Sequence, residues 1–216
     1  MHFLTTTQLI AKEGWRDVCV AGVIFVIAYS FSCFASFFFL ILMGTLLFYR
    51  NPERLLQEED TRALVAPVDG MVSSIEKVTA SDGKEWLKVI IKKRLFDVSV
   101  VRSPLQMHVL DVKKKEGLPL DTNSPLARTL RTKVVFTCKY ETDEIRMVLY
   151  AGSCSKQIDI SSKRGRFKVG ERLAFLAQGD VALLLPLDTR IKVVLNDEVK
   201  AGESVLGYLA HRVNHE

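Results

Sequence analysis

Few side chains in this 216-residue chain pair a reactive group with a spacing that could use it. Asp69 stands in APVDG, where Asp-Gly makes a turn and the carboxylate bonds nearby backbone. The same carboxylate could work as an acid–base group, and the turn role is the simpler of the two. Asp180 follows Gly179 at the apex of RFKVGERLAFLAQGDVALLLP, Arg166 to Pro186, between two apolar strands. Gly152-Ser153 in YAGSCSKQI reads as turn chemistry at a strand end. His211 and His215 lie four apart with Glu216 beside them, but no further ligand accompanies them, so they read as a polar tail. His108 sits in a β-like run as a structural or surface residue. Cys19, Cys33, Cys138 and Cys154 form no Cys-x-x-Cys pair, which argues against zinc or a dithiol site and for free thiols in a reducing compartment. No metal site is expected. A phosphate-cradling Gly-rich loop and a Gly-x-Ser-x-Gly nucleophile turn are both absent from the sequence.

These residues must be held by elements that the apolar pattern outlines. From Val18 to Tyr49 no residue is charged. That run exceeds the roughly 20 residues one helix needs to cross a bilayer. It is short for two comfortable spans. One long tilted helix and a tight helical hairpin broken near Ser30-Phe31-Ser32 both fit, and the hairpin is preferred. Lys12 and Arg16 flank one end and Arg50 and Arg54 the other, which suits a segment with both ends cytoplasmic. Trp15 fits a membrane–water interface. No cleavable signal peptide is expected, because no small-residue cleavage site follows so long an apolar run. The organisation expected is an amphipathic N-terminus over 1–17, a membrane segment over 18–49, a linker over 50–63 and a domain over 64–216. A net charge of +5 suits anionic lipid headgroups or a plain solvated face. Nothing resembles a nucleic-acid recognition element.

Beyond residue 63 the pattern is β. VAPVDGMVSSIEKV places the Asp69-Gly70 turn between two strands, and EWLKVIIKK alternates as a half-buried strand does. LFDVSVVRSP and QMHVLDVKKK follow as β-branched runs, then a loop over Glu116 to Pro125. KVVFTCKYE and IRMVLYAG read as a hairpin turning at Thr142-Asp143. A phrase recurs: KVGERLAFLA from Lys168 and KAGESVLGYLA from Lys200 each place a Gly-Glu turn before an apolar strand. Two similar turns packed by pseudo-symmetry are expected. The fold class expected is mainly β, a sandwich- or barrel-like domain on an N-terminal transmembrane helical segment.

Several stretches, in order, resemble one family. IAKEGW, FYRNPER, APVDG, FDVSVVRSP, LYAGSCSKQI and GERLAFLAQGD are similar to successive motifs of the short, membrane-anchored bacterial phosphatidylserine decarboxylases. The resemblance implies a pyruvoyl cofactor made from an internal serine, whose hydroxyl attacks the preceding glycine carbonyl before β-elimination splits the chain. The resulting ketone acts as a covalently held electron sink. It also implies an assisting Asp and His. Residue by residue, Asp69 matches the family aspartate, and Arg102 and Pro104 match the Arg and Pro beyond the histidine, with Arg102 a candidate for substrate binding. Ser99 stands where that histidine belongs, and Asp180 stands after Gly179 where the pyruvoyl-forming serine belongs.

An aspartate has neither a hydroxyl for the acyl shift nor a leaving group for the elimination, and a serine hydroxyl does not titrate near neutral pH as imidazole does. The pyruvoyl group is therefore expected not to form. Ser153 follows Gly152, but it maps to an interior strand of the family rather than to its processing loop. The expectation is a non-catalytic, lipid-binding or regulatory homologue in phospholipid metabolism, at the inner membrane with its β domain on the cytoplasmic side. Its partners would be the phospholipid membrane, phosphatidylserine included, and a homo- or hetero-oligomer with an active paralogue. Two alternatives stand beside it: an active decarboxylase making phosphatidylethanolamine, and a membrane-anchored protein-interaction adaptor.

Overall fold

A computed structural model describes residues 10–31, 34–52, 54, 60–80, 83–118, 120, 129–155, 158–161 and 164–210. Contacts divide the chain into two units, one of Met1–Glu53 with Phe96–Ser99 and one of Arg54–Leu95 with Val100–Glu216. His211, His215 and Cys33, and most of the loop expected after Glu116, lie outside the described residues.

In the first unit a 3-10 turn, Lys12–Gly14, leads into α1 (Trp15–Ser30), and α2 (Ala35–Phe48) follows. The helices run antiparallel. Phe25 and Phe39 meet with ring centroids 5.8 Å apart, and at the other end the Tyr49 hydroxyl donates to Asp17 Oδ2 at 2.6 Å. Ala11 N–H also donates to Tyr49 O at 2.8 Å. The charge-free run therefore forms a helical hairpin and not one long helix. This is the alternative that the sequence favours, with α1 ending at Ser30, where the break is expected. At 1.5 Å per residue the helices are about 24 and about 21 Å long, against a hydrocarbon core of about 30 Å. Among the described residues no helix is long and apolar enough to cross a membrane.

The second unit is mainly β. In chain order its strands are β1 (Ala63–Val65), β2 (Gly70–Thr79), β3 (Glu85–Lys93), β4 (Val100–Arg102), β5 (Met107–Lys115), β6 (Lys133–Tyr140) and β7 (Asp143–Ala151). Then come β8 (Asp159–Ile160), β9 (Gly165–Phe167), β10 (Arg172–Phe175), β11 (Gly179–Leu185), β12 (Arg190–Ile191), β13 (Glu198–Val199) and β14 (Val205–Tyr208). The large sheet has the order β13-β2-β3-β11-β7-β6-β5-β9, and β1-β14-β12 and β4-β10-β8 form two small ones. The hairpin of β6 and β7 turns at Glu141-Thr142, one residue earlier than the sequence suggests, because Asp143 pairs with Tyr140.

β11 lies inside the large sheet and is apolar on both faces, the pattern of a strand covered on both sides. Val181, Leu183 and Leu185 join Val89, Ile91, Met147 and Leu149 in the main core, which draws residues from all three sheets, Leu206 and Leu173 among them. Ala182 packs with Ile90 and Val148 on the opposite face. By the two-residue period of a strand, Asp180 shares that second face.

The recurring phrase becomes two matching turns. Gly170 and Gly202 have φ +74° and +72°, and their N–H groups donate to Ser103 O at 2.9 Å and Ala66 O at 2.8 Å. Ser103 and Ala66 answer through their own N–H groups, to Glu171 O at 2.7 Å and Ser204 O at 2.8 Å. The segments also cross-link each other: Val65 N–H donates to Pro104 O and Arg102 N–H to Pro67 O, each at 2.8 Å. Ala66-Pro67 and Ser103-Pro104 are thus interlocked equivalents, each beside a glycine turn that opens a strand.

Cys138 lies wholly inside the core, and burial pushes its thiol up from 9.0 to about 12. Cys154 is exposed. In the folded protein iodoacetamide should alkylate Cys154 and spare Cys138 until denaturant is added. The unfolded chain releases the Cys138 proton near pH 9 and the folded chain does not. Stability should therefore fall as pH rises from about 9 towards 12 and a Cys138→Ala variant should lose that slope, which urea titrations across this range would read.

Candidate functional site

The site is built on the beginning of β11. Gly179 has φ +149° and lies opposite Ala151 of β7, and a Cβ there would sit 1.9 Å from Tyr150 O. No side chain fits, so the backbone of β7 presses directly on the residue before Asp180. Asp180 is paired across the sheet with Lys92 of β3 and Tyr150 of β7, and it is 4% exposed.

A carboxylate so placed needs a counter-charge, and Arg131 provides it. Arg131 is 1% exposed and its Nη1 lies 2.5 Å from Asp180 Oδ2. Its Nε donates to Ala151 O at 2.8 Å, its Nη2 reaches Tyr150 O at 3.4 Å, and its guanidinium lies 6.0 Å from the Tyr150 ring centroid. The neighbouring backbone fixes it. Thr132 O accepts from Ala151 N–H at 2.9 Å, and Thr132 Oγ1 bonds both the N–H and the carbonyl of Gly117 at 3.0 Å. A buried Lys93 lies opposite Gly179, with its Nζ donating to Ala177 O at 2.7 Å and Arg94 O at 2.9 Å.

Gly152-Ser153, which sequence sets apart from this place, lies directly against it. The pairing of β7 with β11 brings Gly152 N–H to Gln178 O at 2.9 Å, and Ser153 Oγ is 3.4 Å from Gln178 Oε1. Cys154 N–H donates to the same Oε1 at 3.1 Å.

Asp69 occupies the turn before β2, at the same end of the sheet as Asp180. β3 separates the two strands, a gap on the order of 10 Å. Asp69 is not free for acid–base work. Both oxygens are gripped by Arg54, through Nη1 to Oδ1 and through Nη2 to Oδ2 at 2.7 Å, and Ala201 N–H donates to Oδ1 at 2.8 Å. The bond to Asp69 holds the Arg54 guanidinium above its ordinary pKa against the opposing effect of burial. Arg102 is likewise committed. Its Nη1 donates to Gly170 O at 2.9 Å, and its Cδ lies against the Gly202 turn. Ser99 belongs by its contacts to the first unit. It is buried, and its hydroxyl has no hydrogen-bond partner among the described residues.

Sequence reasoning missed Arg131 and Lys93, and it gave Arg54 no part in the site beyond a flanking cation within the FYRNPER motif. One signal was present: a charged residue opening the apolar run GDVALLL must have a partner if the strand is buried. Position 180 does not fit a pyruvoyl group, because its side chain is a carboxylate already bound to a buried guanidinium.

Among the described residues no cluster of His, Cys, Asp and Glu could hold a metal ion. Asp180→Ala should destabilise the fold by about 3–5 kcal/mol, because it strands a buried arginine, whereas the double replacement Arg131→Met, Asp180→Leu should recover most of that loss. Urea unfolding of the three variants measures both. A loss below about 1 kcal/mol for the single variant would show that the pair is not the buried contact described.

A family model for phosphatidylserine decarboxylase matches residues 44–207. A phosphatidylserine decarboxylase proenzyme of Geobacter sulfurreducens is 30% identical, covering 93% of this chain and 96% of the relative. Proenzymes of the same name from Burkholderia multivorans and Desulfotalea psychrophila are 29% identical with the same coverage. On the match over 44–207 and the near end-to-end similarity, the chain belongs to the phosphatidylserine decarboxylase family.

Proposed function

We propose that this chain is a member of that family that does not cut itself and carries no pyruvoyl group, acting as a non-catalytic lipid-binding or regulatory homologue in phospholipid metabolism. One observation carries the reading. At the position that the resemblance assigns to the pyruvoyl-forming serine stands Asp180, buried and ion-paired to buried Arg131. A carboxylate cannot open the acyl shift, and this one is held by a guanidinium that a serine could not neutralise. Ser99, at the position assigned to the histidine, offers no group that titrates near neutral pH.

The charge-free hairpin supports a place at a membrane, which we assign to the inner membrane with the β unit on the cytoplasmic side. Phospholipid, phosphatidylserine included, is then the ligand class. The companion we propose is a second family member that retains Gly-Ser.

Intact-mass measurement of the purified full chain tests the central point. The expected result is a single species at the full-length mass of 24.4 kDa. Two fragments joining at residues 179 and 180, or at 152 and 153, would overturn it. So would phosphatidylethanolamine formed from phosphatidylserine, the outcome to which the relatives' names point. An Asp180→Ser variant should also stay full-length, because no imidazole returns with it, and should unfold at lower urea than the parent because Arg131 is left unmatched.

A further inference from the structure

The first unit carries an arrangement that the site on β11 does not use. No residue from Val18 to Tyr49 is charged. On α2 the successive residues Phe39, Leu40 and Ile41 are all exposed, and with 3.6 residues per turn they point about 100° apart. The apolar surface thus runs around the helix and is not one stripe. A protein partner, or a second copy of the hairpin, covers a stripe. A helix that is apolar all round belongs in an apolar solvent.

Two hydroxyls within the hairpin are satisfied locally, as such a solvent requires. Ser30 Oγ donates to Val26 O at 2.9 Å and Thr45 Oγ1 to Ile41 O at 2.8 Å, each one turn back. The tip carries Phe31 and Phe34, 79% and 76% exposed. Water-facing turns favour Gly, Asn, Asp and Ser at such places. Phe34 even holds φ +51°, a conformation that side chains of its size avoid. The open end is of the opposite character. Lys12, Glu13, Arg16, Asp17 and Arg50 collect there, with Trp15 and Tyr49 at the level that aromatic rings take at a membrane–water boundary. The charge-free part of α1, Val18 to Ser30, is about 20 Å long, well short of crossing.

We propose that this hairpin enters one leaflet of a lipid bilayer tip first and returns to the face it entered, without crossing. The proposal rests on the membrane part of the reading above and is independent of the chemistry at Asp180. Lys12, Arg16 and Arg50 against Glu13 and Asp17 leave one net positive charge at the open end. Anionic headgroups should therefore strengthen binding by about fivefold.

The test uses the full chain and two vesicle types, phosphatidylcholine alone and an equimolar mixture with phosphatidylglycerol. Flotation with both is expected, stronger with the second. A Phe34→Cys variant lacking the four native thiols then reports on the tip. Its thiol should be shielded from a membrane-impermeant maleimide supplied outside the vesicles or trapped inside, and should react once detergent is added. Reaction with the trapped reagent means that the hairpin crosses; reaction from outside means that it never enters. Either result overturns the proposal. Phe31→Asp with Phe34→Asp should weaken flotation by about a hundredfold or more while the β signal in circular dichroism is kept. Unchanged flotation would place the contact elsewhere. Intact mass is recorded on the same samples. A full-length chain that fails to float removes this proposal and leaves the Asp180 reading standing, and a floating chain found cut does the reverse.

Discussion

A carboxylate on an interior strand has to be answered within hydrogen-bond reach, or the strand cannot stay where it is. Burying an ionised group without a partner costs far more than the net stability of a domain of this size. In this protein the answer comes from Arg131, and much of the local structure is arranged around that arginine. Gly117 and Thr132 fix the segment from which it projects. The carbonyls of Tyr150 and Ala151 take two more of its donors, so the end of β7 is shaped by the same guanidinium. Gly179 lets β7 approach closely enough for the set to close. A hydroxyl at position 180 would need none of this charge; with Asp180 in place the set closes as a buried ion pair.

A second constraint holds the small sheets. Ala66-Pro67 and Ser103-Pro104 each cap a glycine turn and each accept a backbone hydrogen bond from the other's neighbour. Prolines suit these positions because they accept through their carbonyls and have no N–H to leave unsatisfied. Arg102 and the Arg54–Asp69 pair sit on these turns, Arg102 against Gly170 and Gly202 and Asp69 against Ala201. Residues that a motif reading marks as chemical are therefore tied into the interlock. Their spacing has a mechanical reason in these contacts.

Much of this was legible in the chain. Alternation outlines β3, apolar and β-branched runs outline β5, β6, β7 and β11, Asp69-Gly70 marks its turn, and the recurring Gly-Glu phrase announces the matched turns at Gly170 and Gly202. The local signals gave out where partners are distant. Arg131 and Asp180 lie 49 residues apart, and Arg54 and Asp69 lie 15 apart. β8, β12 and β13 are two-residue strands that exist only because a neighbour pairs with them. The break of the apolar run near Ser30-Phe31-Ser32 was legible too, since α1 ends at Ser30. Ser153 looked remote from Gly179 because sequence distance conceals an antiparallel register.

The hairpin's charges all lie at its open end, and that has an energetic consequence of its own. A charge carried through a membrane potential exchanges about 2.3 kcal/mol per 100 mV with the field. The segment between Val18 and Tyr49 carries no charge through any field, whatever depth its tip reaches. Voltage therefore does no work on it. Its insertion would be the same in an energised cell as in a resting vesicle, and no translocation machinery would have to move a polar segment on its behalf.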